Sequence, residues 1–320
     1  MKSINEELIS ILKEKTPEKS NTAALLLDIL PLGREAVYRR LRGEIPFTFE
    51  EAVTVCRKLN ISLDLLMGIK QDKTYAFHLN TLFSGSPFED YFNMLHRMID
   101  SIDYIKDDPT VYLYRAHKTI PQEFLYNYKF LSQVYMYILY FQLFLKSSGK
   151  VERFSEIEFP KEIFEAQKES IRCVHGCNSS LILDKRIIVD FIDIVKYFQF
   201  LGMISDSDIA QIKEELYKLI EDMQKCAVTG QSLLGKQMYI YVSNISFDCS
   251  YTSLESENFQ VASIGVYCVD YLSCQNDTIN ENNMTWIKSL IRFSNLISIS
   301  DELKRKEFFQ TQLHYIDTML

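Results

Sequence analysis

Glycine is scarce in this chain, at ten residues in 320. Loops that cradle phosphate need glycine wherever the backbone must approach closely. Neither GxxxxGK[ST] nor GxGxxG occurs, and the GxSxG turn of a serine hydrolase is missing too. The five histidines, at 78, 96, 117, 175 and 314, stand singly. No enzyme activity is expected; a site built from carboxylates by the fold would leave no linear pattern. His117 beside Arg115 and Lys118 offers a grip for an anion but reads better as a surface cluster.

Long apolar runs are also lacking. The strongest, FLSQVYMYILYFQLFL at 130 to 145, is 16 residues long, contains Gln133 and Gln142, and lies between Lys129 and Lys146. It falls short of the ~20 residues needed to cross a bilayer and reads as a buried core helix, with no membrane association. The N-terminal MKSINEELISILKEK is a charged amphipathic helix rather than a secretory leader, so a cytoplasmic location is expected. Seven cysteines, an odd number, fit reduced thiols there. Cys173, His175 and Cys177 in RCVHGC form the one cluster, weighed as zinc ligands or a redox switch. Three groups at that spacing fall short of the four a closed zinc site takes, so they are read as structural, with no metal and no cofactor expected. No 34-residue period is present, which excludes a tetratricopeptide array.

What the chain does have is a dense group of arginines. Between Arg34 and Arg42 there are four arginines and one acid. Val37 and Leu41 fall i, i+4 on one face, while Glu35, Tyr38, Arg39 and Arg42 fall on the other. One stripe can anchor such a helix to its own domain while the other presents guanidinium groups and a phenol to base edges and phosphates. The flanks agree. Asn21-Thr22 is an N-cap for AALLLDIL, and Pro31-Leu32-Gly33 breaks that helix. Gly43 ends the arginine helix, Pro46 forces a loop, and Thr48 with Glu51 writes a capping box for the next helix.

These residues resemble the lambda-repressor-like (Cro/cI, XRE) helix-turn-helix family over about residues 20 to 68, with a first helix at 2 to 15. Val37 matches the apolar residue of the recognition helix, Arg42-Gly43 followed by Pro46 its exit, and TFEEAVTVCRKLNISLDLLMG the closing helix and tail. The chain departs from the pattern in three places, one of them the loop from Gly43 to Pro46, which is one residue shorter than the usual form. Pro31 occupies the turn where the family has glycine, so Gly33 is expected to supply the left-handed residue, and Leu27 replaces a small alanine. The resemblance implies double-stranded DNA as partner. Arg34, Glu35, Tyr38 and Arg39 are expected at bases, with Arg42 and the Thr22 helix N-terminus at phosphates.

Residues 1 to 70 carry 11 basic and 10 acidic residues, a net +1, which leaves −9 for the other 250. A near-neutral head whose bases sit on one helix, attached to an acidic body, suits a regulator that touches DNA only through its head. A homodimer that sets two recognition helices roughly 34 Å apart is expected to strengthen that contact. The division is a DNA-binding domain at 1–70, a connector at 71–88 and a regulatory and dimerisation domain at 89–320. Helices are expected at about 90–105, 121–147, 160–174, 186–203, 206–226, 280–297 and 301–318. Short strands are expected at 111–115 and 180–183, and longer ones at 236–247 and 259–272.

The two longer strands are expected to pair antiparallel, which makes the fold mainly α: a helix-turn-helix head followed by a larger α+β domain with a small antiparallel sheet. The body is expected to serve oligomerisation and to receive an unidentified small-molecule or peptide effector, its 236–272 aromatics being candidates for a pocket wall. The competing function is a non-enzymatic interaction module whose head docks a protein partner.

Overall fold

The computed structural model describes residues 3–14, 16, 22–59, 61, 75, 77–79, 86–148, 152–257, 259–266 and 270–320. The chain divides into two compact units, Met1–Tyr75 and Ala76–Leu320.

The first unit is helical: α1 (Ile4–Glu14), α2 (Thr22–Ile29), α3 (Arg34–Leu41) and α4 (Phe49–Lys58). Each helix is too short to be stable alone in water, so packing of their apolar stripes holds them. Leu8 and Leu12 of α1, Ala23 and Leu26 of α2, Val37 of α3 and Val55 of α4 meet in one core, which Ile61 also joins. On α2 the small buried residue is Ala23, while Leu27 lies half-buried at the edge of that core. The turn between α2 and α3 departs from expectation. Gly33 has φ −75° and ψ 158°, an extended N-cap rather than a left-handed residue. Gly43 does take a left-handed φ of +77° just past α3. The capping box of α4 forms as read from sequence, with the Thr48 hydroxyl accepting from the Glu51 amide and Glu51 accepting from the Thr48 amide. Asn21 and the tail at 62–70 lie outside the described residues.

The second unit is built on a sheet much larger than expected. Its strands are β1 (His78–Leu79), β2 (Tyr112–His117), β3 (Asn178–Leu183), β4 (Met238–Ser243), β5 (Tyr251–Glu255), β6 (Gln260–Val266), β7 (Asp270–Cys274) and β8 (Ser294–Leu296). They form one eight-stranded sheet in the order β1-β7-β6-β5-β2-β3-β4-β8. Its centre is parallel, β2 with β3 and β3 with β4, and every other pairing is antiparallel. The small antiparallel sheet inferred from sequence is therefore wrong.

Three physical reasons account for the error. The run at 236–247 yields β4, which pairs with β3 and β8, and the run at 259–272 breaks into the β6–β7 hairpin, so the two do not meet. Parallel neighbours need long crossovers, and the helices between the strands supply them. The helices of this unit are α5 (Pro87–Asp103), α6 (Gln122–Leu125), α7 (Lys129–Ser148), α8 (Lys161–His175), α9 (Val189–Phe200), α10 (Asp206–Thr229), α11 (Asp277–Arg292) and α12 (Glu302–Met319), of which α6 to α8 link β2 to β3 and α9 and α10 link β3 to β4. Finally, the two short apolar runs are the middle of the sheet. β3 is buried at five of its six positions, and a doubly covered strand has no alternating pattern to display.

One sheet face carries Leu181, Leu183, Ile240 and Val242 into the main core, against helices that include α7, where Leu131, Val134 and Tyr137 are buried. The opposite face, with Ala116, Ile182, Tyr114, Tyr241 and Tyr251, packs on Ile287 and Leu290 of α11. Among the described residues no helix is long and apolar enough to cross a membrane.

Candidate nucleic-acid interface

The exposed face of α3 is the candidate site, and its four arginines divide into distinct roles. Arg40 is nearly buried and is turned inward. Its Nε and Nη2 each lie 2.7 Å from a carboxylate oxygen of Glu51, and Nη1 donates to the Ala36 carbonyl at 3.2 Å. Arg40 sits three residues after Val37, on the anchoring side of the helix, so the helical spacing already carried the signal that it belongs to the domain's interior. Burial pushes the Glu51 carboxyl up, but the Arg40 guanidinium and the Thr48 amide and hydroxyl outweigh it and hold the group below its ordinary value. A single carboxylate thus caps α4 and ties it to α3.

Arg34, Glu35, Tyr38, Arg39 and Arg42 are all exposed, the face expected from sequence. Arg34 has no ion-pair partner among the described residues. Arg42 bonds Glu44 at 2.6 Å through Nε and Glu35 at 3.2 Å through Nη2, and Arg39 Nε lies 3.5 Å from Glu44. The Arg42 hydrogen bond holds the Glu44 carboxyl below its ordinary value, and the Arg42 guanidinium is raised in turn by Glu44 and Glu35. These pairs are open to water and salt, which screen them strongly. An arriving phosphate can replace Glu44, and a guanine edge can take a guanidinium fork. The Glu35 and Glu44 carboxylates lower the free charge of the face, a feature the arginine count in the sequence concealed.

The start of α3 adds backbone donors. Gly33 has no side chain to cap the helix, so the first α3 amides carry no side-chain cap and point outward from a helix N-terminus. Thr22, the second expected phosphate contact, is the first residue of α2 and is half-buried.

The other sequence candidates lie in the second unit. Cys173 and Cys177 are buried, and His175 is fully buried with its ring edge-on to Phe124, centroids 5.2 Å apart. Burial, with Asp103 nearby, pushes the Cys173 thiol up to about 12, and burial raises Cys177 too. That direction favours the protonated thiol and lowers the reactivity of both cysteines as nucleophiles. Arg115, His117 and Lys118 do not form a surface cluster. Strand alternation turns Arg115 and His117 into the interior, where Arg115 bonds Glu123, while Lys118 pairs with Asp184 at 3.3 Å. Of the expected pocket aromatics, Tyr241 packs on the α11 side together with Tyr251, whereas Tyr271 of β7 lines a cavity that Met94, Leu113 and Leu254 also wall.

Residues 3–83 match the model of the BetR domain, a family of helix-turn-helix-like DNA-binding domains. The match covers the first unit and the start of the second, and it agrees with the helix-turn-helix reading of the N-terminal helices. No curated protein matches the chain.

Proposed function

We propose that the chain is a sequence-specific transcription regulator that binds double-stranded DNA as a homodimer through α3, is not an enzyme, acts in the cytoplasm, and uses residues 89–320 for oligomerisation and effector sensing. The observation that carries this reading is the division of α3 itself. Val37 and Arg40 lock the helix into its domain, and Arg34, Tyr38, Arg39 and Arg42 are left on the open face. Arg34, Glu35, Tyr38 and Arg39 are assigned to bases, and Arg42 and the α2 start at Thr22 to phosphates. The match of residues 3–83 to a DNA-binding family model supports the same reading.

Protein docking by the head is the second reading, and one observation favours it: Glu35 and Glu44 already occupy Arg42 and Arg39 on the exposed face. Selection of duplexes from a random-sequence pool by the full-length protein separates the two. A regulator enriches a palindrome or direct repeat whose half-site spacing reports the dimer, and Arg34→Ala or Arg39→Ala relaxes one or two base positions. No enrichment at physiological salt, with the head folded, would assign the face to a protein partner.

A further inference from the structure

The cavity that Tyr271 lines has a volume of about 180 Å³ and lies in the second unit between α5, α6, α8 and the strands β2, β5, β6 and β7. Helical spacing builds one side of it. Met94, Arg97, Met98, Ser101 and Ile102 recur every three or four residues along α5 and form one stripe that borders the hollow. Leu113, Leu254 and Val261 of the sheet and Val174 of α8 continue an apolar wall.

The charges around this hollow do not cancel. Arg115 and Glu123 are both buried and bond each other. Burial pushes the Glu123 carboxyl up, but Arg115 and the neighbouring histidines outweigh it and hold it below its ordinary value, so the pair is ionised and sums to zero. Among the described residues that line the hollow, Glu123 is the one acid. Arg97 is left over. It is exposed, has no ion-pair partner among the described residues, and stands one turn before Ser101, whose hydroxyl donates to the Arg97 carbonyl at 2.8 Å. The lining therefore carries one uncompensated positive charge, and that charge is at the water-exposed rim rather than in the interior.

An apolar hollow with a cation at its rim matches a molecule that has a hydrocarbon part and one acidic group. Each methylene moved from water to the apolar wall is worth about fourfold in affinity. A carboxylate held at the exposed rim keeps part of its hydration and escapes the cost of burying a charge, and a guanidinium fork can take both of its oxygens. Benzene occupies a cavity of about 150 Å³, so the hollow has room for about seven carbons.

We infer that this cavity binds a small monocarboxylic acid, with a hydrocarbon part of about seven carbons between α5 and the sheet and its carboxylate paired with Arg97 at the rim. The inference rests on reading the body as the sensing part of the protein, but it is independent of whether the head reads DNA. Binding is therefore measured without DNA, which keeps failure of the site distinct from failure of DNA recognition.

The test uses the full-length protein at pH 7.5 with four probes, octanoate, octanamide, octylammonium and acetate, and affinity is read by titration calorimetry. Octanoate is expected to bind about fivefold more tightly than octanamide, with octylammonium weaker than either. Acetate has no chain to bury and is expected to bind at least about a hundredfold more weakly than octanoate. In protein labelled at the methionine methyl groups, octanoate is expected to shift the NMR signals of Met94 and Met98 and to leave those of Met136 and Met223 in place. Arg97→Gln is expected to bring octanoate down to the level of octanamide, with octanamide affinity and melting temperature unchanged. Octanamide or octylammonium binding as tightly as octanoate, or a preference for octanoate that survives Arg97→Gln, would overturn the acid assignment. Absence of octanoate binding, or binding that leaves Met94 and Met98 unshifted, would overturn the site. Octanoate that binds there without changing the affinity of the full-length protein for its selected duplex would uphold the site and overturn the sensing reading.

Discussion

Arg34 and Arg40 carry the same charge on one eight-residue helix, and their surroundings give them opposite roles. Arg40→Ala leaves the inward Glu51 carboxylate without its partner, and the head is expected to lose roughly 3 kcal/mol of stability, read by denaturant unfolding. Arg34→Ala is expected to leave that unfolding curve in place and to weaken and relax DNA binding instead. A single melt of both variants tests the division. His117 contributes a pH dependence of its own. Its folded pKa of about 4 lies below the ordinary value of 6.5, so the unfolded chain takes up a proton first as pH falls. The stability it contributes is complete above pH 6.5 and is lost on the way down to pH 4, by roughly 3 kcal/mol. Denaturant unfolding of the body across that window is expected to show the loss, and His117→Gln is expected to reduce it, leaving the part contributed by His175, which burial also lowers.

At the scale of elements, the α2–α3 turn does without a left-handed residue and the α3 exit requires one. Gly43 has φ +77° with no atom within 4 Å of where a Cβ would stand, so Gly43→Ala meets backbone strain alone. A cost of about 1 kcal/mol in the head's melting curve is expected, with the exposed face of α3 unchanged. Most helices in both units were legible because each buries one stripe at helical spacing; α5, α8 and α10 all keep it. The strands were legible as strands and illegible as partners. β5 falls inside what reads as a linker, DCSYTSLESEN, and β8 inside what reads as the end of α11, because three- and five-residue strands are too short to print a period.

For the whole molecule, the two compact units predict separable stability. Val37→Asp places an unpaired charge in the core of the first unit and is expected to unfold residues 1–75 while 76–320 keep a cooperative thermal transition. Loss of both transitions in the variant would mean that the units fold as one. The helical head, its arginine face and its capping box were determined by sequence alone, because turns, caps and helix faces are set by residues within a few positions of one another. The order of the eight strands was decided only by the tertiary structure, since five of the seven pairings join residues more than fifty positions apart. The same holds for Glu51 as the partner of the inward Arg40 and for the enclosure of Arg115, His117 and Glu123. A charged side chain reads the same in sequence whether it meets water or a buried partner, and only the fold supplies the partner.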